Sequence, residues 1–527
     1  MANPETGASR NKNDSATSHD SSNPTASSSN TGNATPHGGE TAADATTHSA
    51  NTSATNQTGG VATLDPTHTD PPGRPAHRTG GLKHRHLHFI ALGSAIGTGL
   101  FYGSSSAIQA AGPSVLFMYI IGGAVVYFML RGLGELVLRN PHSGSFAEYA
   151  TRYLGNWAGF ITGWMFALEM IIVCLADLSA IGIYMRFWFP DVDAWVWVAA
   201  TLLLVGAANI ASTKMFGELE FGLTLVKVGA VVAMILGGAA VIIFGLSDSH
   251  STGPDNLVND GGFFPNGFGG FLGAYILVLF AFGGTEIIGV AGASTDDPRK
   301  AVPKAINTVP FRILLFYVLS ILIILLINPW RTIDGEQSPF VQIFSSLGIT
   351  WAAALLNVVV ITAAVSAINA DIFGAGRVLT GLAKQRLAPQ FMKRTSGDVP
   401  VITTAVLLLI LVVGVVLNAM IPEKIFTIFA SLATFATVFV WLMILLSHVA
   451  SRRGLNAEQV SAIQYRVPLW PIGQYFAIAM IMVAFGVLAW IEEFRVSLAT
   501  GAGFIVIMSV FYFLMKPGKA QGELAPA

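Results

Sequence analysis

The chain is dominated by apolar segments about as long as a bilayer is thick, and two of them are broken at their centres by glycine. Gly97-Thr98-Gly99 interrupts the run from Leu92 to Ala111, and Gly283-Gly284 interrupts the run from Phe271 to Ala293. A helix opened inside hydrocarbon leaves peptide N–H and C=O groups without partners, and this is tolerated only where they line a cavity or meet a ligand. A pair of such breaks is the strongest pointer that a single sequence offers to the binding site of a membrane transporter.

Hydrophobic residues make up 53% of the 527 and charged residues 11%, against roughly 25% charged in a soluble domain. About 20 residues cross a hydrocarbon core of roughly 30 Å. Spans are expected near 90–111, 114–137, 158–186, 195–212, 219–245, 270–293, 308–328, 349–371, 401–420, 425–448, 472–491 and 497–515, an all-α polytopic membrane protein of twelve helices. Residues 1–80 differ in kind, being rich in Ser, Thr, Asn and Gly with few large apolar side chains. Such a segment cannot bury enough surface to offset chain entropy, so a disordered tail is expected. It also lacks the apolar core of a cleavable signal, so the first span is expected to remain as an anchor. Its histidines are too irregularly spaced to suggest a metal site.

Basic residues are divided unequally between the two sets of loops. One set carries most of them, among them Lys83, Arg139, Arg299, Lys384, Arg452 and Lys516, and the other only Arg186, Arg331, Lys424 and Arg495. By the positive-inside rule both termini are expected in the cytoplasm. The single cysteine, Cys174, lies within a span and excludes an intrachain disulfide.

The broken spans are the first and the sixth. Their spacing implies two five-helix units in opposite orientation, the first over about 88–245 and the second over about 270–448. The peripheral helices, 472–515, carry no intramembrane acid or base before Glu492 and suit packing or self-association. Gly374 to Arg394 reads as a short basic surface helix stopped near Pro389, set either for orientation or for gating. Residues 81–515 form one membrane domain on this reading, followed by a short cytoplasmic tail over 516–527.

Opening at Ile96-Gly97-Thr98-Gly99 exposes N–H groups at the positive end of the following half-helix, which favours a carboxylate. Opening at Phe282-Gly283-Gly284 exposes carbonyl oxygens that accept from an ammonium. The two together suit the ends of a free amino acid. The competing reading is close helix packing through small residues. Glu286 follows the second break inside a span, where an acid costs roughly 2.5–3.5 kcal/mol on insertion scales, and it either links the break to neighbouring helices or carries a proton. Lys227, about eight residues into the fifth span, is either a fixed ammonium standing where a sodium ion would otherwise bind, or a side chain snorkelling to the interface. Glu169 and Asp177 share a face of the third span, with Glu169 the deeper and the favoured contact or relay. Phe280 and Phe282 flank the second break, as gates or as ordinary core aromatics.

Several chemistries are excluded. There is no phosphate-cradling Gly-x-x-x-x-Gly-Lys-Ser/Thr, no His/Cys/Glu set with metal spacing and no Gly-x-Ser-x-Gly elbow. The glycines at 97–103 follow no strand, so a dinucleotide reading fails. No cofactor, metal or enzyme activity is expected, and uphill transport would draw on an ion gradient or on exchange.

In combination, several motifs resemble a bacterial amino acid permease of the amino acid-polyamine-organocation superfamily: Ile96-Gly-Thr-Gly-Leu-Phe101, Arg131-Gly-Leu-Gly-Glu135, Lys214-Met-Phe-Gly-Glu-Leu-Glu-Phe221, Phe280-Ala-Phe-Gly-Gly-Thr-Glu286 and Ser366-Ala-Ile-Asn369. The resemblance implies the leucine-transporter fold, ten core helices in a 5+5 inverted repeat plus two peripheral ones. It further implies proton-coupled uptake across the inner (cytoplasmic) membrane, with the substrate carboxylate on the backbone at Thr98 and Gly99 and the amine near Ile96 and Phe282. Phe280 would be the gate, and Lys227 would replace the sodium site. The expected partners are an amino acid, a proton and membrane lipid, with no nucleic acid and oligomeric state open. Gly163-Trp164, Glu169 and Ala176-Asp177 look most like proline-specific permeases, and in part like D-serine/D-alanine/glycine permeases. An exchanger, another neutral or aromatic amino acid permease, and a nontransporting amino acid sensor of the same fold are the alternatives.

Overall fold

A computed structural model describes residues 96–139, 146–211, 213–245, 252–292, 297–333, 335, 338–396, 399–420 and 425–515. The expected tails over 1–80 and 516–527 lie outside them. The described residues hold helices and no strand, only an isolated bridge between Ser396 and Val399. The helices are α1 (Thr98–Phe101), α2 (Gly103–Ala111), α3 (Val115–Arg139), α4 (Phe146–Leu154), α5 (Asn156–Met185), α6 (Ala194–Ala211) and α7 (Thr213–Phe244). They continue as α8 (Gly267–Phe282), α9 (Ile287–Gly292), α10 (Pro298–Ile327), α11 (Pro339–Ser346), α12 (Thr350–Lys384) and α13 (Val401–Met420). The last four are α14 (Ile425–Arg453), α15 (Ala457–Ser461), α16 (Ile472–Trp490) and α17 (Glu492–Met515). Nine helical segments among the described residues are long and apolar enough to cross a bilayer, and two shorter apolar helices fall in α6 and α13.

Both glycine breaks are real interruptions. Gly97 is extended (φ −118°, ψ −164°) before the first turn of α1, and Tyr102 bends the chain again before α2. In the sixth span α8 ends at Phe282, Gly283 turns out of the helix at ψ 151°, and Gly284 takes φ +82°, a left-handed conformation that a side chain would resist. The two broken elements lie against each other, and the contact is close. A Cβ on Gly99 would stand 2.5 Å from the Cα of Ala281, so the backbones of α1 and α8 touch with no side chain between them.

In lipid, exclusion of water does not drive helices together, and association rests on close packing and interhelical hydrogen bonds. The core displays both. α5 is apolar almost all round and is buried between α12 and α14, as such a helix must be. Asn209 on α6 donates to Asn369 Oδ1 on α12 at 2.9 Å, and Asn357 on α12 donates to the Tyr184 carbonyl at 2.8 Å. At the arginine-rich end, Glu135 on α3 is fully buried and receives Arg452 Nε at 2.5 Å and Nη2 at 2.7 Å, with the Val467 peptide N–H at 3.2 Å and His448 Nε2 at 3.3 Å. This cluster ties α3 to α14 and to the chain before α16. By contrast most of α17 is uncovered, with Val496, Val506, Phe513 and Leu514 exposed, and only Phe494, Ser497 and Gly501 are buried.

Two expectations require correction. The surface helix expected from Gly374 to Arg394 is absent, because α12 runs unbroken to Lys384 with Gly374, Ala375, Val378, Leu379 and Leu382 buried, and only a 3-10 turn at Gln390–Lys393 follows. The apolar face continues past Asp371, and the helix follows it. The helix of the fifth span also begins earlier than expected, at Thr213, which puts Lys227 about 21 Å from its start by a 1.5 Å rise. Lys227 is fully buried with its Nζ on the Ile96 carbonyl, and so does not snorkel.

Packing of this kind makes two measurable demands. Arg452→Met leaves Glu135 as a buried charge short of its strongest partner and is expected to destabilise by about 3–5 kcal/mol, whereas the paired Glu135→Gln/Arg452→Met exchange should cost less; thermal unfolding in detergent checks this, and equal losses would refute it. Gly99→Ala must drive α1 and α8 apart, at about 1–3 kcal/mol for overpacking. Gly97→Ala is the control, since its Cβ would meet only the Ala367 Cβ at an ordinary 3.6 Å, and it should leave the melting temperature almost unchanged.

Candidate functional site

A small cavity, about 30 Å³ in volume, opens where the two breaks meet. Gly97, Thr98 and Gly99 form one wall and Phe280, Ala281 and Gly283 the opposite one, while Val173 and Asp177 on α5 and Ala367, Ala370 and Asp371 on α12 close the sides. The backbone groups there follow from the breaks. Thr98 and Gly99 open a helix, and among the described residues no carbonyl a turn behind accepts from their N–H groups. In the second break the Phe280 carbonyl accepts from Gly283 N at 3.0 Å, that of Phe282 from Thr285 N at 3.4 Å and that of Gly284 from Ile287 N at 3.1 Å. Fewer carbonyls are therefore open than the glycine pair suggests. The Ala281 carbonyl accepts from Tyr317 Oη at 2.9 Å, which anchors the end of α8 to α10.

Charged side chains surround this backbone and are buried with it. Lys227 is fully buried and its Nζ donates to the Ile96 carbonyl at 3.0 Å, with Glu220 Oε1 at 4.0 Å. Glu220 in turn accepts from Ser366 Oγ at 2.7 Å and from Thr224 Oγ1 at 3.2 Å. The fifth span is thus linked both to the first break and to α12. The Thr98 hydroxyl donates to Asp177 Oδ1, so the first break is held from α5 as well. A free oxygen of Asp177 and one of Asp371 have no hydrogen-bond partner among the described residues.

The residues singled out in the sequence divide into three groups. Gly97, Thr98, Gly99, Phe280, Gly283 and Asp177 line the cavity. Ile96 contributes its carbonyl to Lys227, and Gly284 supplies the turn. Glu169, Glu286 and Phe282 stand behind the cavity wall. Phe282 packs into Tyr317 and Tyr119, with ring centroids 4.6 and 6.0 Å away, and does not reach the cavity. Glu169 accepts from Thr437 Oγ1 at 2.6 Å and Glu286 from Trp441 Nε1 at 2.9 Å, both donors on α14. On α5 it is therefore Asp177, and not Glu169, that borders the space.

Sequence reasoning missed Asp371, Glu220 and an aromatic cluster. Asp371 sat at the expected end of a span and Glu220 at the expected start of one, so neither was read as an intramembrane acid. Correct helix ends would have exposed both. The cluster joins Phe280 to Phe426 (5.9 Å), Phe426 to Tyr102 (4.6 Å) and Tyr102 to Tyr184 (5.8 Å), a set of edge-on rings beside the cavity drawn from four distant parts of the chain.

Comparison with known proteins accounts for this arrangement. A family model described as amino acid permease matches residues 86–519. The chain is 42% identical over 438 residues to the uncharacterized amino acid permease YtnA of Bacillus subtilis (strain 168), covering 82% of this chain and 94% of the relative. It is 40% identical over 436 residues to the amino-acid permease AapA of the same organism (82% and 94% covered), and 38% identical over 444 residues to the aromatic amino acid transport protein AroP of Escherichia coli (strain K12) (84% and 96% covered). These relatives are named as permeases and transporters, not as enzymes. A multi-pass helical chain, broken twice where its polar groups converge, this protein belongs to the amino acid permease family.

Proposed function

We propose that the protein is a proton-coupled symporter that imports a small neutral amino acid across the cytoplasmic membrane by alternating access, with both termini inside. The domain would span residues 81–515, with repeats over about 88–245 and 270–448. The observation that carries this reading is the Lys227 ammonium on the Ile96 carbonyl, 3.0 Å away at the first break. A fixed cation placed there organises the opened backbone as a bound sodium ion would, but it can be discharged by losing one proton. The break would then lose a hydrogen-bond donor and a charge in a single step, and its geometry would depend on proton supply.

Substrate would sit in the cavity with its carboxylate toward the N–H groups of Thr98 and Gly99 and its amine toward carbonyls of the two breaks. At about 30 Å³ the space holds little more than water. Entry therefore requires Phe280 and its aromatic neighbours to move, which suits a gate. For the side chain, proline is the first candidate, on the helix-three pattern of Glu169 and Ala176-Asp177. The relatives set the alternatives, since one is named as an aromatic amino acid transport protein and another as a probable threonine/serine transporter.

Two measurements test the reading. In proteoliposomes Lys227→Met is expected to abolish accumulation driven by a pH gradient and to spare counterflow of labelled substrate; Lys227→Arg, which keeps the charge but cannot release it, should behave likewise. Normal accumulation in either variant would remove Lys227 from coupling. A competition panel of D and L amino acids against labelled proline ranks the side chains, and failure of proline to be taken up would displace it as the first candidate.

A further inference from the structure

Behind the second break, Glu169 of α5 and Glu286 meet the same face of α14. The donors that hold them, Thr437 and Trp441, are four residues apart, so their side chains stand one above the other on that face. Each carboxyl receives one side-chain donor, on one oxygen, and Glu286 is also held by backbone N–H groups at Gly284 and Glu286. Glu169 Oε2 and Glu286 Oε1 have no hydrogen-bond partner among the described residues, both side chains are fully buried, and the two groups interact directly with each other. The surroundings offer no counter-charge. Among the described residues no lysine or arginine pairs with either group. The other charged group acting on Glu169 is Asp371 of α12, itself an acid, while α14 presents only the neutral Thr437 and Trp441.

Two ionised carboxylates beside each other in a buried interior repel strongly, and among the described residues no cation pairs with either to offset that repulsion. A single proton between them changes the situation. It converts the repulsion into a charge-assisted hydrogen bond and satisfies both orphaned oxygens at once. We propose that Glu169 and Glu286 form a dyad sharing one proton, a second proton site distinct from Lys227, which clamps the break in the sixth span to α5 and α14. The clamp acts on the hinge itself, because a Cβ on Gly283 would lie 3.3 Å from Thr437 Oγ1 and 3.9 Å from Glu169 Oε1. Loss of the shared proton drives the two carboxyls apart and frees the Gly283-Gly284 backbone to move. Neither residue lines the cavity, so both are positioning residues. Only the use of this proton in transport rests on the symport reading; its presence does not.

Infrared difference spectroscopy of the full chain in lipid nanodiscs, in light and heavy water, tests the dyad directly. The wild type is expected to have a protonated-carboxyl C=O band that Glu169→Gln and Glu286→Gln each abolish, since one proton serves both groups, and that Asp371→Asn leaves in place. A wild type without the band, or a band surviving both single substitutions, overturns the dyad. Should the glutamine variants fail to fold, Thr437→Val removes only the hydroxyl on Glu169; the band should then shift and persist, and an unmoved band overturns the proposal. In proteoliposomes Glu169→Gln/Glu286→Gln should retain counterflow and lose its dependence on pH, and an unchanged pH profile overturns the clamp. If the band behaves as expected while the wild type shows no proton-driven accumulation, the dyad stands and the symport reading falls; if the band survives both substitutions while accumulation persists, the dyad alone falls.

Discussion

Everything at the centre of this protein follows from the cost of an unpaired peptide group in a membrane. Two helices are opened inside the bundle, and the surrounding structure supplies partners for part of what this exposes. The Ile96 carbonyl takes Lys227, the Ala281 carbonyl takes Tyr317, and the Thr98 hydroxyl is held by Asp177. Those partners come from the fifth span, from α10 and from α5, so satisfying two short stretches of backbone fixes the relative placement of much of the bundle. Gly99 allows the arrangement to close, because it lets one break lie on the backbone beside the other.

The polar groups near the breaks form two layers. The inner layer, Asp177, Asp371 and the opened backbone, faces the cavity, and the outer layer, Glu169, Glu286, Thr437 and Trp441, faces helix against helix. Lys227 and Glu220 join the inner layer to α12 through Ser366. On the proposed reading, recognition of an amino acid's shared ends would fall to the inner layer. The outer layer lies against the second break at Gly283, so on the proposed reading changes there would reach the cavity without touching what binds in it.

Much of this was legible in the sequence because the cost of burial is written in composition. Long apolar runs gave the spans, glycine pairs inside them gave the breaks, and the rarity of charge made Lys227, Glu286, Glu169 and Asp177 conspicuous. What was not legible depended on where helices end. Periodicity fades at a helix terminus, so the start of α7 and the end of α12 were misplaced, and with them Glu220 and Asp371. The separate roles of Phe280 and Phe282 were equally hidden. Two residues apart on α8, the rings point to nearly opposite sides of the helix, one toward the cavity and the other toward Tyr317, and nothing local in the sequence says which side is which. The aromatic cluster of Tyr102, Tyr184, Phe280 and Phe426 had no local signal at all, since its members meet only once the bundle has formed.

The unbroken length of α12 has a mechanical meaning. At 35 residues it is about 52 Å long, against a hydrocarbon core of roughly 30 Å, and it carries Asp371 at the cavity and Lys384 at its far end as parts of one rod. Thirteen residues, or about 20 Å, separate them. Unlike the two opened helices it has no break, so any tilt of α12 about Asp371 would carry Lys384 with it. The most ordinary-looking helix of the bundle is thus a continuous connection between the wall of a buried space and a residue well beyond it.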